Sequence, residues 1–329
     1  MRARTYTADQ IDKNGIPTVR LADADHGIEV SIVPSVGNRA YEMLVRGANI
    51  LHFPVDSPAA LKGNKHLSGI PFLAPWANRM PGGFHANGKH YGFNSDLDSV
   101  RLDQNGISIH GLLTSSPFWE VIDAGADDNA AYVTSRLEFW KYPDLMANWP
   151  FAQEYEMTHR LAGGVLEVSV TIVNRSADPM PVAVGFHPYF QLAGVPREEA
   201  VARIPVRRHV ETDSGLVATG QTTPVAFIER VSLKDHRFDD GFTDLVRGPD
   251  GRTVFAVEGR GKKIEVVFGP RYQVAVIYAP PGENFICFEP MSTITNGINL
   301  ASEGKYPELQ TVAAGSQWRE SFWIRPEGF

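Results

Sequence analysis

One glutamate near the end of the sequence has the surroundings of a catalytic acid or base. In FICFEP, residues 285 to 290, Ile286 and Phe288 alternate with Cys287 and Glu289, so the carboxyl group has apolar neighbours and shares a strand face with a thiol. Burial raises the pKa of a carboxyl group toward the range of a base that works near neutral pH, unless donors or cations compensate. A structural partner is the alternative. Glu289 is the most informative single residue for function.

A histidine in GFHPYFQL, residues 185 to 192, is the second candidate. Val184 and Phe186 alternate with Gly185 and His187, which predicts that the imidazole projects from the face opposite the apolar row. Pro188 then ends regular strand pairing, because it has no N–H and restricts the preceding residue. His187 is therefore expected at a rigid strand end, as a proton donor or as a buried imidazole bonded to a carbonyl.

Two loops add polar candidates. PWANRMPGGFHANGKHY, residues 75 to 91, is a loop in which Asn78 and Arg79 offer several directed donors to a ligand rich in hydroxyl groups, although an arginine that caps loop carbonyls fits equally well. His110 in SIHGLL lies at a strand end and, by itself, is more often structural. RFDDGFTDL, residues 237 to 245, has Asp239 and Asp240 before a glycine, which favours a turn and also permits a sugar-binding carboxylate.

The elements that carry these residues are predicted to be strands. Period-two alternation marks residues 151–161, 166–173, 262–268 and 317–324, and the glycines at 161–165 predict a hairpin between the first two. Only residues 57–66 are compatible with a short helix. Many strands joined by tight turns favour an all-β fold, an antiparallel sandwich or barrel. We expect one domain over residues 1–329, with a two-domain division as the alternative.

Composition excludes several classes of function. The 329 residues carry a net charge of −7 without a run of like charges, which predicts a small-molecule partner and no nucleic-acid or membrane surface. The single cysteine, Cys287, excludes an internal disulfide and a metal cluster built on several cysteines. No long apolar segment and no dinucleotide, P-loop, zinc-protease or serine-hydrolase motif appears. A cytoplasmic monomer or homodimer is the expectation.

The order of the motifs is more specific than any one of them. PWANRMPGGFHANGKHYGFN, IHG followed by FWEV, PMPVAVGFHPYFQL, FDDGFTDL and FICFEP resemble, in this order, the aldose 1-epimerase (galactose mutarotase) family from about Gly69 to Asn299. The resemblance implies a large antiparallel β-sandwich with an open sugar cleft and no metal or organic cofactor.

The resemblance also implies a role for each candidate residue. Glu289 matches the general base and His187 the general acid of the family, and the substrate-binding residues are Arg79, Asn78, His110 and Asp239, with Asp240 as the alternative to Asp239. Trp76 is expected to support the sugar ring as an aromatic surface. These roles imply interconversion of the α and β anomers of a free aldose.

Two departures and three alternatives accompany the resemblance. GLLTSS after His110 and the STIT segment after Glu289 differ from galactose-active members at places where substrate contacts are expected, so galactose is not assigned. A hexose-6-phosphate mutarotase requires further cations at the cleft, for which Arg207, Arg208 and Arg271 are candidates. A non-catalytic carbohydrate-binding protein and, by fold analogy alone, a polysaccharide lyase are the remaining alternatives.

Overall fold

Strands are the main regular structure of the chain, in agreement with the period-two pattern. The computed structural model describes residues 5–62, 67–97, 99–227 and 229–329. The strands before residue 150 are β1 (Tyr6–Lys13), β2 (Ile16–Asp23), β3 (Ile28–Val33), β4 (Arg39–Val45), β5 (Ala48–Asn49), β6 (Phe72–Leu73), β7 (Phe84–Ala86), β8 (Lys89–Tyr91), β9 (Glu120–Ala126) and β10 (Ala131–Glu138). The strands after residue 150 are β11 (Gln153–Ala162), β12 (Val165–Asn174), β13 (Met180–Pro181), β14 (Gly185–Phe186), β15 (Tyr189–Phe190), β16 (Val201–Arg203), β17 (Val206–Thr212), β18 (Ala218–Pro224), β19 (Arg230–Ser232), β20 (Phe238–Leu245), β21 (Thr253–Gly259), β22 (Lys262–Phe268), β23 (Val274–Ala279), β24 (Ile286–Met291), β25 (Thr311–Val312) and β26 (Gln317–Glu327).

The helical segments are short. Two α-helices, α1 (Pro143–Asn148) and α2 (Gly297–Ser302), accompany the 3-10 turns Pro58–Leu61, Phe139–Lys141 and Arg197–Glu199. The helix predicted over residues 57–66 is represented by the turn Pro58–Leu61, and residues 63–66 lie outside the described residues. Among the residues that the structure describes, no helix has the length and apolar character needed to cross a membrane.

Two large antiparallel sheets form the body of the molecule. One has nine strands in the order β19-β16-β21-β22-β26-β12-β11-β10-β9, and the other has eight, in the order β18-β17-β20-β23-β24-β14-β6 with β15 paired to β24. A five-stranded sheet, β1 to β5, and two smaller pairs complete the described strands. The predicted hairpin is confirmed, because Ala162 pairs with Val165 and the two intervening glycines have positive φ angles, which match a tight two-residue turn.

Aromatic side chains pack the two large sheets face to face. Phe186 in β14 lies 5.0 Å, centroid to centroid, from Phe322 in β26, and Phe288 in β24 lies 5.7 Å from Phe255 in β21. All four rings are buried and belong to the main hydrophobic cluster. The fold is therefore a large antiparallel β-sandwich, as predicted. Since Phe288 points into the sandwich, its neighbours Cys287 and Glu289 point to the opposite face of the eight-stranded sheet.

Candidate active site

A cleft of about 640 Å³ lies on that opposite face of the eight-stranded sheet. Its polar lining consists of Asn78, Arg79, Arg101, His110, His187, Asp239, Glu283 and Glu289. Its aromatic lining consists of His52, Tyr189, Tyr278 and Phe285. Six of the seven residues predicted to form a site are therefore brought together here, from five separate segments of the chain.

Glu289 lies at the floor of the cleft, in the middle of β24. Its side chain is 1% exposed, and neither carboxyl oxygen receives a hydrogen bond from the described residues. Burial raises the pKa of this carboxyl group well above its usual range, and the charge of Asp239 raises it further. A buried carboxyl group without a donor is costly to the fold, so an open pair of acceptor atoms in a cleft indicates a site for a ligand with hydroxyl groups.

His187 is held beside Glu289 by main-chain contacts. Its backbone N–H donates to the Pro71 carbonyl at 3.0 Å, and the strands on either side of it, β14 and β15, both pair with β24. The ring stacks on Tyr189 at a centroid distance of 4.6 Å. Burial lowers the pKa of His187 to about 3. The imidazole thus has a fixed position in a site with little water around it.

The two groups lie side by side. The Nε2 atom of His187 is 3.3 Å from the Oε1 atom of Glu289. Burial favours the neutral forms, a protonated carboxyl group and a neutral imidazole, and these carry the same number of protons as a carboxylate beside an imidazolium. One proton exchanged within the pair therefore converts it into a base and an acid.

His110 and Asn78 occupy two strained backbone positions at the cleft. Their φ angles are 64° and 57°, and the N–H of His110 donates to the Asn78 carbonyl at 3.0 Å. The His110 and His187 rings meet edge to face, with centroids 5.6 Å apart. Burial lowers the pKa of His110, and His187 and nearby arginines lower it further. Left-handed backbone at residues other than glycine is costly and is concentrated at functional sites.

Arg79 is fixed by a carboxylate that the sequence did not single out. Its Nε atom donates to Oδ2 of Asp103 at 2.6 Å. Burial pushes the pKa of Asp103 upward, but the bond from Arg79 and the amides of Ile107 and Asn105 outweigh it, so the pKa is lowered. Asp103 is therefore charged at neutral pH and holds the guanidinium at the cleft wall.

Of the two adjacent aspartates, Asp239 and Asp240, only Asp239 lines the cleft. Burial raises the pKa of its carboxyl group while Arg79 opposes the rise. Oδ1 of Asp240 lies 2.9 Å from Nε2 of His209, outside the cleft lining. Asp239 is consequently the carboxylate that a cleft ligand meets.

Trp76, which was expected to support a sugar ring, lies in the hydrophobic core and not in the cleft, so this prediction is wrong. Trp76 is fully buried, stacks on Phe93 at 4.2 Å and lies 6.2 Å from Trp149, and it is absent from the cleft lining. A large indole gains more from packing among other rings than from a polar cleft. Tyr189, next to the GFHP motif, and Tyr278 provide the aromatic surface instead.

Arg101 is a cleft residue that the sequence analysis missed. It has no salt bridge or side-chain hydrogen bond to any residue in the described ranges. Burial lowers the pKa of its guanidinium, and Tyr189 opposes the shift. By contrast, Arg207 and Arg208 line a separate cavity, and Arg271 is not part of the cleft lining. No sequence motif marks Arg101, so its position was not predictable from local pattern.

The two segments that depart from galactose-active relatives do not reach the cleft. None of the residues 111–116 or 292–295 is among its lining residues. Ser292 instead donates to the Val184 carbonyl at 2.9 Å and ties the end of β24 to the chain before β14. The expectation that both segments lie where the substrate is contacted is therefore wrong, because neither contributes to the cleft lining.

Comparisons with known proteins relate this chain to a protein family and to solved structures of the same fold. A family model described as aldose 1-epimerase matches residues 32–325. The chain is similar to the structure of a galactose mutarotase-like protein from Clostridium acetobutylicum, with 20% identity, a TM-score of 0.88 and coverage of 99% of this chain and 100% of that one. A Synechocystis sp. protein gives 26% identity, a TM-score of 0.76 and coverage of 99% of each chain.

A galactose 1-epimerase from Lactobacillus acidophilus has a TM-score of 0.76, 15% identity and coverage of 99% of this chain and 100% of that one. At such identities the structural likeness establishes the fold, whereas the family match establishes the relationship. Because that match extends over most of the sequence, the chain belongs to the aldose 1-epimerase family.

Proposed function

We propose that this protein is an enzyme, an aldose 1-epimerase that interconverts the α and β anomers of a free aldose by opening and closing the sugar ring. The observation that carries the proposal is the pair formed by Glu289 and His187, whose Oε1 and Nε2 atoms are 3.3 Å apart at the floor of the cleft. The hydroxyl oxygen on C1 and the ring oxygen are bonded to the same carbon, so an adjacent base and acid can serve both.

The reaction needs one proton removed and one delivered. In the first step the Glu289 carboxylate takes the proton from the C1 hydroxyl, the C1–O bond to the ring oxygen breaks, and the His187 imidazolium protonates that oxygen. The product is an open-chain aldehyde. After rotation about the C1–C2 bond, the same two groups act in reverse on the other face of the carbonyl and close the ring to the opposite anomer.

The protonation states that burial favours for this pair are compatible with the cycle. The neutral pair holds one proton, and transfer of that proton from Glu289 to His187 produces the carboxylate and imidazolium that the first step requires. Sugar hydroxyl groups that donate to Glu289 supply the hydrogen bonds that its oxygens lack, which favours the charged form of the carboxyl group. Substrate binding therefore prepares the pair for catalysis.

The remaining polar residues are assigned to holding the sugar. Arg79, Asn78 and His110 offer donors on one side of the pair, and Asp239 offers acceptors. Tyr189 and Tyr278 supply flat apolar surface for the C–H faces of a pyranose. This arrangement restrains the ring while C1 rotates, which is the positioning that the reaction requires.

Polarimetry on freshly dissolved α-D-glucose and α-D-galactose tests the proposal directly, and saturation transfer in NMR measures the same exchange at equilibrium. We expect catalytic amounts of the protein to accelerate anomerisation of at least one aldose. Sugar binding by the wild-type protein with no acceleration of any aldose or aldose phosphate would exclude catalysis and favour a carbohydrate-binding protein.

Arg101 favours a second candidate, in which the aldose carries an anionic group such as a 6-phosphate. Its guanidinium lies in the cleft without a carboxylate partner in the described ranges, whereas Arg79 is already paired with Asp103. An unpaired, partly desolvated guanidinium is a strong partner for a phosphate. Comparison of kcat/KM for glucose and glucose 6-phosphate distinguishes the two candidates.

A further inference from the structure

A thiol that the proposed reaction does not use lies beside the acid–base pair. His187, Cys287 and Glu289 each present one atom capable of binding a metal, and these atoms all lie within 4.8 Å of one another. Cys287 and Glu289 share one face of β24. His187 reaches them from the adjacent segment of the same chain, between β14 and β15. All three side chains are buried.

The carboxyl group of Glu289 gives an independent indication of a ligand. It is 1% exposed, it faces the cleft, and both its oxygens are without a hydrogen-bond donor in the described part of the chain. Buried polar atoms in native proteins are almost always satisfied. A cation bound by Glu289 would satisfy an oxygen that the protein itself leaves open.

The distance between two of the three ligand atoms and the ligand charges suit a tetrahedral transition-metal ion. Zinc bonds of about 2.0–2.3 Å to nitrogen, oxygen and sulfur place neighbouring tetrahedral ligands about 3.4 Å apart. The 3.3 Å between Nε2 of His187 and Oε1 of Glu289 matches this spacing. Zn²⁺ displaces one proton from the Cys287 thiol and one from the Glu289 carboxyl group, and the resulting thiolate and carboxylate neutralise its two charges, which limits the cost of burial. Mg²⁺ and Ca²⁺ prefer oxygen ligands and do not fit this set.

We propose that His187, Cys287 and Glu289 form a site for Zn²⁺, with the fourth position open to the cleft, and that zinc occupancy inhibits the enzyme. The ion occupies the lone pairs with which Glu289 and His187 would handle the protons of the sugar, so zinc and substrate exclude each other. Only the inhibition rests on the proposed function. Zinc binding rests on the geometry alone and is tested separately.

Binding is measured with ZnCl₂ by isothermal titration calorimetry on protein stripped with EDTA, and with Co²⁺ as a spectroscopic probe. We expect one ion per chain and a thiolate-to-cobalt charge-transfer band in the near ultraviolet. If the protein is active, zinc at one hundred times its dissociation constant should lower the rate about 100-fold at low sugar concentration, and EDTA should restore it.

Two variants separate this site from incidental binding. Cys287→Ala removes one proposed ligand, and Cys287 is not among the residues that line the sugar cleft. Loss of a residue that only hydrogen-bonds to a metal ligand typically weakens metal binding about 10-fold to 100-fold, so loss of the ligand itself should weaken zinc binding at least about 100-fold. His209→Gln is the matched control, because His209 also lies against two carboxylates, Glu211 and Asp240, but at the surface. It should leave zinc affinity unchanged.

Two results would overturn the inference. One is zinc affinity that is equal in wild type and in folded Cys287→Ala protein, with folding checked by circular dichroism. The other is a wild-type cobalt complex without a thiolate band, which does not depend on any variant. Failure of anomerisation with intact zinc binding would reject the proposed function and leave the metal site in place.

Discussion

Asp103 accepts a 2.6 Å hydrogen bond from Nε of Arg79, and so a carboxylate in a surface turn fixes a guanidinium at the cleft. The other oxygen of Asp103 accepts the amides of Asn105 at 2.8 Å and Ile107 at 3.0 Å. The side chain of Asp103 therefore both closes the turn and orients the guanidinium of Arg79 at the cleft. Arg79 lies in the loop between β6 and β7, and this turn fixes the position of its guanidinium.

Asp103→Asn should weaken substrate binding more than it slows chemistry. A charge-assisted hydrogen bond is replaced by a weaker neutral one, so we expect KM to rise about tenfold with kcat changed less. Steady-state polarimetry over a range of sugar concentrations measures both constants. Asp213→Asn is the control, because Asp213 accepts the amides of Gly215 and Val217 in an equivalent turn away from the cleft. Equal effects of both variants would refute a positioning role.

Glu289→Gln should abolish activity without weakening the fold. The amide is isosteric but cannot take the C1 proton, so we expect a loss of more than about 100-fold in kcat. The free energy of unfolding should stay level or rise, because in the described residues the carboxyl group has only the 3.3 Å contact with His187, which the amide can keep, and no hydrogen bond to lose. Polarimetry and urea unfolding measure the two quantities.

Glu320→Gln gives the contrast, since this partly buried carboxylate accepts the amides of Arg271 and Ser321. Its replacement should cost about 1–3 kcal/mol of stability and spare activity. If Glu289→Gln instead destabilised the protein as much as Glu320→Gln and kept its activity, Glu289 would be structural.

Arg101→Gln should discriminate between neutral and anionic sugars. If the substrate carries a phosphate, loss of the guanidinium should lower kcat/KM for glucose 6-phosphate about 10-fold to 100-fold, and that for glucose less than about threefold. Arg271→Gln, outside the cleft lining, should affect neither. An equal loss of kcat/KM for both sugars would show that Arg101 contacts the sugar ring and not an anionic substituent.

His159 is expected to make stability depend on pH. It is 1% exposed in β11, and burial lowers its pKa from 6.5 to about 4. Between these values the unfolded chain binds the proton and the folded chain does not, so the free energy of unfolding falls as pH decreases from 6.5 to 4, by about 3 kcal/mol at most.

His159→Leu should remove this component. Urea unfolding at pH 7, 5.5 and 4 measures the free energy of unfolding of wild type and variant. As the pH decreases, the free energy of unfolding of the variant should increase relative to that of wild type. His90→Leu, at an exposed position, controls for the added leucine. Parallel pH profiles of wild type and His159→Leu would contradict the prediction.

The sequence predicted the parts of the site that depend on local pattern. Alternation in FICFEP correctly placed Cys287 and Glu289 on one face of β24, and Pro188 correctly marked a strand end after His187. The Asp-Asp-Gly sequence at 239–241 favours a turn, but these residues lie inside strand β20, where Asp239 and Asp240 occupy opposite faces. Which face meets the cleft depends on how the sheets stack. Only the packed structure made this choice.

Long-range packing decided what local pattern missed. Trp76 is adjacent to the polar loop in sequence, yet Phe93 and Trp149 bring it into the core. Arg101 reaches the cleft because Ile109 donates its N–H to the Arg101 carbonyl and folds the segment back toward His110. Neither contact has a signature in the residues around Trp76 or Arg101.

Gly185 explains why the separation of His187 and Glu289 can stay constant while the cleft changes. A Cβ atom at Gly185 would come within 2.1 Å of Sδ of Met291 and 2.9 Å of the Pro290 carbonyl oxygen, so a side chain at this position would have to displace Met291 and push β14 away from β24. The proton-handling distance is thus built into the main chain, whereas Arg101 and Asp239 stand apart from it at the rim. In the proposed reaction, a substitution at Arg101 or Asp239 can therefore change which sugar binds without moving the acid–base pair.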